Sequence, residues 1–245
     1  EDRCFYYRDT VYSQGDGNVK LALAFQREVI NNIIPRVQPD LIHCNDWMTG
    51  LIPAAARRMG IPCLFTVHNI HTQKLSLAQI EDAGIDAAEF WTNLYYNYPP
   101  YNYEESRDRN LIDLQASGCF AAHFINTVSP TFLTEIVNGW HSFVPDSIRN
   151  EIRSKYNAGC ASGILNAPDS ADNPATDDKI PFKYGPEDHR EGKRKNKRTL
   201  QRALGLEENP DAPLFFWPSR LDPVQKGPQL LTDITYRFLA KHAHE

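Results

Sequence analysis

Two short runs decide the fold: DLIHCND (residues 40–46) and PCLFTVHN (residues 62–69), joined by TGLIPAAARR (residues 49–58). Each run is continuously apolar and then closes in polar residues. The segment between them reads as a small helix whose Ala54, Ala55 and Ala56 permit close packing, ended near Gly60. Short apolar strands alternating with helices are the pattern of βαβ units around a parallel sheet covered on its faces. The chain is therefore expected to be α/β. In such sheets ligands gather at the carboxyl ends of the strands. Here those ends carry Asn45, Asp46, His68 and Asn69.

The pattern extends in both directions. Upstream, residues 18–34 place Ala22, Phe25, Val29, Ile30 and Ile33 on one face of a helix that Pro35 and Pro39 are expected to end. Downstream, HFINTVSP (residues 123–130) reads as a third strand, closing on Thr127 and Ser129 before a helix that starts near Pro130. Between these strands the run WTNLYYNYPPYNYEES (residues 91–106) is expected to be ordered, because disordered segments are poor in aromatics. Residues 166–192 are rich in Pro, Asp and Gly and read as a connection between domains or a long crossover loop. A helix over 193–206, a fourth strand over 213–220 and a last helix with Leu230, Leu231, Ile234 and Phe238 on one face would begin a second α/β unit.

Composition narrows the function. The 245 residues carry 26 Lys and Arg against 31 Asp and Glu, a formal charge of −5, which argues against a general binder of nucleic acid or anionic membrane. No window approaches the ~18 apolar residues of a membrane span, and EDRCFYYRDT lacks the features of a signal peptide. Five scattered cysteines, odd in number and without a Cys-x-x-Cys pair, fit a reducing compartment better than a disulfide framework or zinc knuckle. The chain begins without methionine and stops inside a helical pattern, and is expected to be a fragment.

Three groups of residues have chemistry to offer. Asp46, followed by Trp47, can accept hydrogen bonds from a polyol, or simply cap the helix that follows it. His68 and Asn69 can hold a polar substrate, or His68 can be a core histidine satisfied by backbone. With no Glu or Cys beside them, His68 and His71 make a poor metal pair, and no metal is expected. In Ser219-Arg220-Leu221-Asp222-Pro223-Val224-Gln225-Lys226-Gly227, a fork of donors and a point charge beside a helix N-terminus suit an anionic phosphate, or simply solvate a surface loop. The cationic run at Lys193, Arg194, Lys195, Lys197 and Arg198 lacks aromatic interleaving and reads as a solvated helix face. There is no Gly-x-Ser-x-Gly, no Gly-x-x-x-x-Gly-Lys-Ser/Thr and no Gly-x-Gly-x-x-Gly.

Taken in order, HCNDWMTGLIPA, FTVHNI, NTVSPTFLTEI, SGILNAPD, NPATD, KRKNKRTLQRALGL and PLFFWPSRLDPVQKG resemble the glycogen/starch synthases, from about residue 18 to the end. The resemblance implies a GT-B architecture, two Rossmann-like parallel-sheet domains facing each other across a cleft. Residues 1–163 would be the latter part of the first domain, 164–192 a hinge and linker, and 193–245 the start of the second. It implies retaining transfer of glucose from a nucleotide-glucose donor, ADP-glucose favoured, to an α-1,4-glucan acceptor, in a bacterial cytoplasm or a plastid, without cofactor, metal, nucleic acid or membrane. It assigns catalytic roles to Asp46, His68, Arg220 and Lys226, and substrate-binding roles to Asn69, Ser129, Asn166 and Gly227. The family's Lys-x-Gly-Gly-Leu loop and C-terminal Glu motif would lie outside these residues, so the isolated chain is expected to be inactive. Two departures stand out. Arg220 and Lys226 are one residue further apart than in Arg-Leu-x-x-Gln-Lys-Gly, and Ala167 replaces the glycine of Leu-Asn-Gly. A glucan- or nucleotide-binding fragment without catalysis and another GT-B transferase remain as alternatives.

Overall fold

A computed structural model of the chain describes residues 17–221, 223 and 226–242. The chain forms two compact units, Glu1–Asn166 and Ala167–Glu245.

In the first unit, the sequence lays down α1 (Gly17–Glu28), a five-residue π-turn (Val29–Ile33) and α2 (Ile34–Val37), then β1 (Ile42–Asn45), α3 (Ile52–Arg58) and β2 (Cys63–Val67). A short antiparallel pair follows, β3 (Lys74–Leu75) with β4 (Ile112–Asp113), enclosing α4 (Leu77–Asp82) and α5 (Tyr103–Arg109). Next come α6 (Leu114–Ala121), β5 (Phe124–Thr127), α7 (Pro130–Asn138), α8 (Asp146–Asn157) and β6 (Ala161–Gly163). The main sheet is parallel throughout, in the order β1-β2-β5-β6. All its carboxyl ends therefore lie along one edge.

The pleat separates two chemistries. Cys44, Phe65, Val67, Ile125 and Thr127 alternate onto the face buried against the helices. On the other face a polar row crosses three strands: Thr66 Oγ1 donates to Asn126 Oδ1 at 2.6 Å, and His43 Nε2 lies 2.7 Å from Thr66 Oγ1. A hydroxyl has one proton to give, so His43 is the donor in its own bond. The cysteines at 44, 63, 119 and 160 are free thiols, and burial pushes Cys119 well above the usual thiol range. Cys4 lies outside the described residues.

Helix α6 is the central buried helix. Its residues from Leu114 to Gly118 are wholly buried, as are Cys119 and Ala121. Lys155 Nζ caps the carbonyl of Ala122 and Arg57 reaches those of Phe120 and Ala121, placing cations at the negative end of the helix dipole. The cost is visible at Lys155, whose pKa burial lowers. The aromatic run is ordered as expected: Tyr96 is buried with its hydroxyl donating to Trp91 O, and Trp91 meets Tyr103 edge to face at 6.0 Å.

Two expectations are corrected. Pro35 does not end the first helix; the backbone continues to Val37 and stops at Gln38, whose φ is 50°, directly before Pro39, the second proline expected to end it. A proline cannot donate to the carbonyl one turn back, and the widened π-turn just before it changes which carbonyls need a donor. Residues 213–220 form no strand. Among the described residues they have no ladder partner, and Phe215 and Phe216 are each 76% exposed. Phe215 instead meets Phe238 of α10 (Pro228–Lys241) edge to face at 5.5 Å.

The rest of the second unit is organised by α9 (His189–Ala203). Its cationic run is matched by acids: Arg194 grips Asp211 through two bonds, Lys195 pairs with Glu191, and Arg198 and Arg202 converge on Glu208. Lys197 caps the carbonyls of Pro210 and Ala212. A helix face neutralised in this way matches the solvated-face reading.

Gly50, between β1 and α3, sets how closely α3 approaches α6. A Cβ there would lie far inside van der Waals contact of the Leu114 carbonyl oxygen. That neighbour is backbone and cannot rotate away. We expect Gly50→Ala to lower stability by about 1–3 kcal/mol, seen as an earlier midpoint in urea with unchanged slope. A midpoint equal to wild type would show that the two helices can separate freely.

Candidate functional site

The site is built where β1 and β2 end side by side. In a parallel ladder, a residue that donates its N–H to one neighbouring carbonyl normally accepts, through its own carbonyl, from the N–H two residues further along the partner strand. Asp46 N donates to Thr66 O at 3.0 Å, so the next acceptor for His68 N should be Asp46 O. It is not. Asp46 turns out of the strand with φ 55° and ψ −179°, and its carbonyl accepts instead from Thr49 N at 3.0 Å, with Thr49 Oγ1 3.1 Å away. Its side chain fills the vacated position: Oδ1 accepts from His68 N at 2.8 Å, with Asn69 N at 3.5 Å. Oδ2 has no hydrogen-bond partner among the described residues.

The helix-cap reading of Asp46 is thereby excluded, because its side chain makes no capping bond to the turn Trp47–Thr49 that follows. Both it and His68 stand at the edge, His68 exposed and Asp46 half-buried. His68 Nε2 lies 3.0 Å from Asn45 Oδ1. With the proton on Nε2 donated to that oxygen, Nδ1 is left as an acceptor facing no protein donor among the described residues. Asn45 is held in turn by Thr49, whose hydroxyl donates to Asn45 O and accepts from Asn45 N, both at 2.8 Å. Asn69 spends its side-chain oxygen on His71 N at 2.8 Å.

Sequence reasoning thus located Asp46, His68 and Asn69, and the structure brings these three together. It gave Asn45 no role of its own and passed over Thr49; the signal available was the ladder register, Asn45 beside Thr66, which sets Asn45 next to the residue that follows β2. Ser129 stands at the end of β5 as the N-cap of α7, its Oγ accepting from Phe132 N at 3.2 Å. Asn166 is exposed at the end of the first unit. The other expected residues belong to the second unit: Arg220 and Lys226 are exposed, and Gly227 has φ 61° as the N-cap of α10. Asp222, Val224 and Gln225 lie outside the described residues. Ala167 has no left-handed backbone, so the lost glycine demands nothing of it. Among the described residues, no three His, Cys, Asp or Glu side chains are grouped to hold a metal.

A family model described as the starch synthase catalytic domain matches residues 1–146. The chain belongs to that family. It is 34% identical over 230 residues to a glycogen synthase of Variovorax paradoxus, covering 89% of this chain and 43% of that protein. With a glycogen synthase of Exiguobacterium sibiricum it shares 31% over 249 residues, covering 96% and 48%. The chain therefore spans about half the length of the curated relatives it matches. Among solved structures it resembles the catalytic domain of starch synthase IV from Arabidopsis thaliana bound to ADP and acarbose, with a TM-score of 0.70 at 24% identity, over 96% of this chain and 47% of that one. That likeness is one of fold, and the α/β, GT-B type expected for this starch synthase family member is the fold found.

The backbone at Asp46 makes a distinctive demand. A φ near 55° with an extended ψ suits glycine and strains any side chain by roughly 1–3 kcal/mol. We expect Asp46→Gly to be more stable than Asp46→Ala by about 1 kcal/mol or more, the reverse of the usual order in regular structure. Equal stabilities, or Ala above Gly, would refute the strained conformation.

Proposed function

We propose that this chain carries part of the machinery of a retaining glucosyltransferase that moves glucose from a nucleotide-glucose donor, ADP-glucose favoured, to the non-reducing end of an α-1,4-glucan. The observation that carries the reading is the Asn45, Asp46, His68 and Asn69 group, fixed at the carboxyl edge of a parallel sheet in a member of the starch synthase family. That the Arabidopsis neighbour was solved with ADP supports the choice of donor.

Breaking the bond between the anomeric carbon and phosphate puts negative charge on the leaving diphosphate and positive charge on the sugar. Arg220 offers a planar fork and Lys226 a point charge for the first. The N–H groups opening α10 add to them. For the second, Asp46 is suited through Oδ2: its other oxygen is already occupied, so the carboxylate is oriented before substrate arrives. Preorganised charge of this kind needs no reorganisation during the reaction, which is why it accelerates. His68, with Nε2 engaged by Asn45, presents Nδ1 as an acceptor for a sugar hydroxyl. Asn69 lies beside it, and Asn166, Ser129 and Gly227 complete the substrate-binding set. No residue of this set needs a metal for the charges described. The reading is of an enzyme of a bacterial cytoplasm, or of a plastid if the source is a plant or alga.

The test is transfer of labelled glucose from ADP-glucose, with UDP-glucose alongside, onto glycogen by the full-length gene product. Transfer is expected from ADP-glucose, and Arg220→Ala is expected to lower turnover by about 100-fold or more. Near wild-type turnover in that variant would remove the phosphate role. No transfer from either donor, with glucan still bound, would leave a glucan-binding protein instead.

A further inference from the structure

The loop that leaves β2 carries His68 and Asn69, and its far side is tied to the start of α6. Thr72 Oγ1 donates to Asp113 Oδ1 at 2.6 Å, and Gln115 N donates back to Thr72 Oγ1 at 3.1 Å. Leu114 N donates to Gln73 O at 3.0 Å. Asp113 is 2% exposed and also caps α6 by accepting from Ala116 N at 2.9 Å. These bonds hold residues 72 and 73. Nearer the site, a side chain of α6 reaches the loop: Gln115 Nε2 donates to the backbone carbonyl of Asn69 at 3.3 Å.

Gln115 is an odd occupant of its position. It is wholly buried on a helix whose other buried members are mostly Leu, Ala, Gly and Cys, and its Oε1 has no hydrogen-bond partner among the described residues. A buried carbonyl stripped of water and left unpaired is a net cost to folding. An apolar side chain of the same length would avoid that cost. Its amide nitrogen, however, spans from the buried helix α6 to the residue next to His68. Residues that cost stability and hold a site in place mark a trade of stability for function.

We propose that Gln115 is a positioning residue for the candidate site, its carboxamide clamping the Asn69 carbonyl so that the His68–Asn69 segment cannot swing away from Asp46. The role rests on reading that segment as substrate-facing. Two clamps then act on one short loop: Asp46 Oδ1 takes its amides at the strand end, and Gln115 takes its carbonyl from the helix behind.

Gln115→Met tests this, because methionine keeps the length of the side chain and removes both the donor and the unpaired oxygen. In the 245-residue chain the melting temperature is expected to hold within about 2 °C of wild type or to rise. Amide hydrogen exchange at residues 69–72 is expected to accelerate about tenfold or more, with the rest of the first unit unchanged. In the full-length gene product, kcat is expected to fall about tenfold with KM for the donor little changed, as when an oriented group is loosened. Exchange at 69–72 equal to wild type overturns the proposal. So does a lowered melting temperature with exchange accelerated evenly through the unit, which is what an ordinary packing residue would give. Should Gln115→Met fail to fold, Gln115→Leu removes the same donor and is read the same way: local acceleration at 69–72 supports the clamp, and none or even acceleration overturns it. A wild-type gene product that transfers no glucose would overturn the proposed function, while exchange at 69–72 would still decide the role of Gln115.

Discussion

One hydrogen bond organises the functional edge of this molecule: the Asp46 carboxylate accepting the His68 amide where the strand ladder calls for Asp46's own carbonyl. A parallel pair that ran on regularly past Asn45 and Val67 would carry its side chains alternately up and down and leave no group facing along the edge. Turning Asp46 to positive φ breaks that alternation. The freed carbonyl starts the turn Trp47–Thr49, which leads directly into α3, and buries Trp47. The side chain keeps the ladder satisfied, so the two strands end together and not frayed. A carboxylate has two acceptor oxygens, so one can be consumed structurally by the His68 amide while the other stays unoccupied by protein donors among the described residues.

The constraint propagates through a chain of hydrogen bonds along the edge. Thr49 joins the backbone of Asn45 to that of Asp46, and Asn45 reaches His68. The loop beyond His68 is turned by Asn69 onto His71 and fastened at Thr72 to Asp113, whose carboxylate also caps α6. That helix lies against α3, kept at short distance by Gly50, and against Phe65 of β2 at Gly118. A carboxylate thus stands at each end of the loop, one fixed by the sheet and one by the central helix. Burial of α6 supplies the rigidity, and the two aspartates transmit it to the side chains that face outward.

The strand, helix, strand order was legible from DLIHCND and PCLFTVHN because a buried parallel strand writes itself as a continuous apolar run, and the polar residues at its end fell on the carboxyl edge of the sheet, where the candidate site is built. What Asp46 does there was not legible. An aspartate before a helix reads as a cap, and only the pairing with β2, a contact made across 22 residues of sequence, shows that its oxygen is spent on His68. Gln115 was invisible for a related reason: a lone glutamine in an apolar helix carries no signal until its partner, Asn69, is known. Pro35 misled because the rule for proline assumes α-helical bonding, and the chain widened to a π-turn before it. Residues 213–220 have the composition of a strand, but a strand is a relation between two segments, and its own sequence supplies only one. The charges of α9 find acidic partners nearby in sequence, at Glu191, Glu208 and Asp211, of which Glu191 precedes the run and the other two follow it.

The most direct measurement is detection of scalar coupling across the hydrogen bond from the His68 amide by NMR of the isotope-labelled chain. The acceptor carbon is predicted to be the side-chain carboxyl of Asp46, with the Asp46 backbone carbonyl coupled instead to Thr49 N. A correlation from His68 N to the backbone carbonyl of Asp46 would mean that the ladder runs on regularly, that the carboxylate is not fixed by it, and that the site is not organised as described.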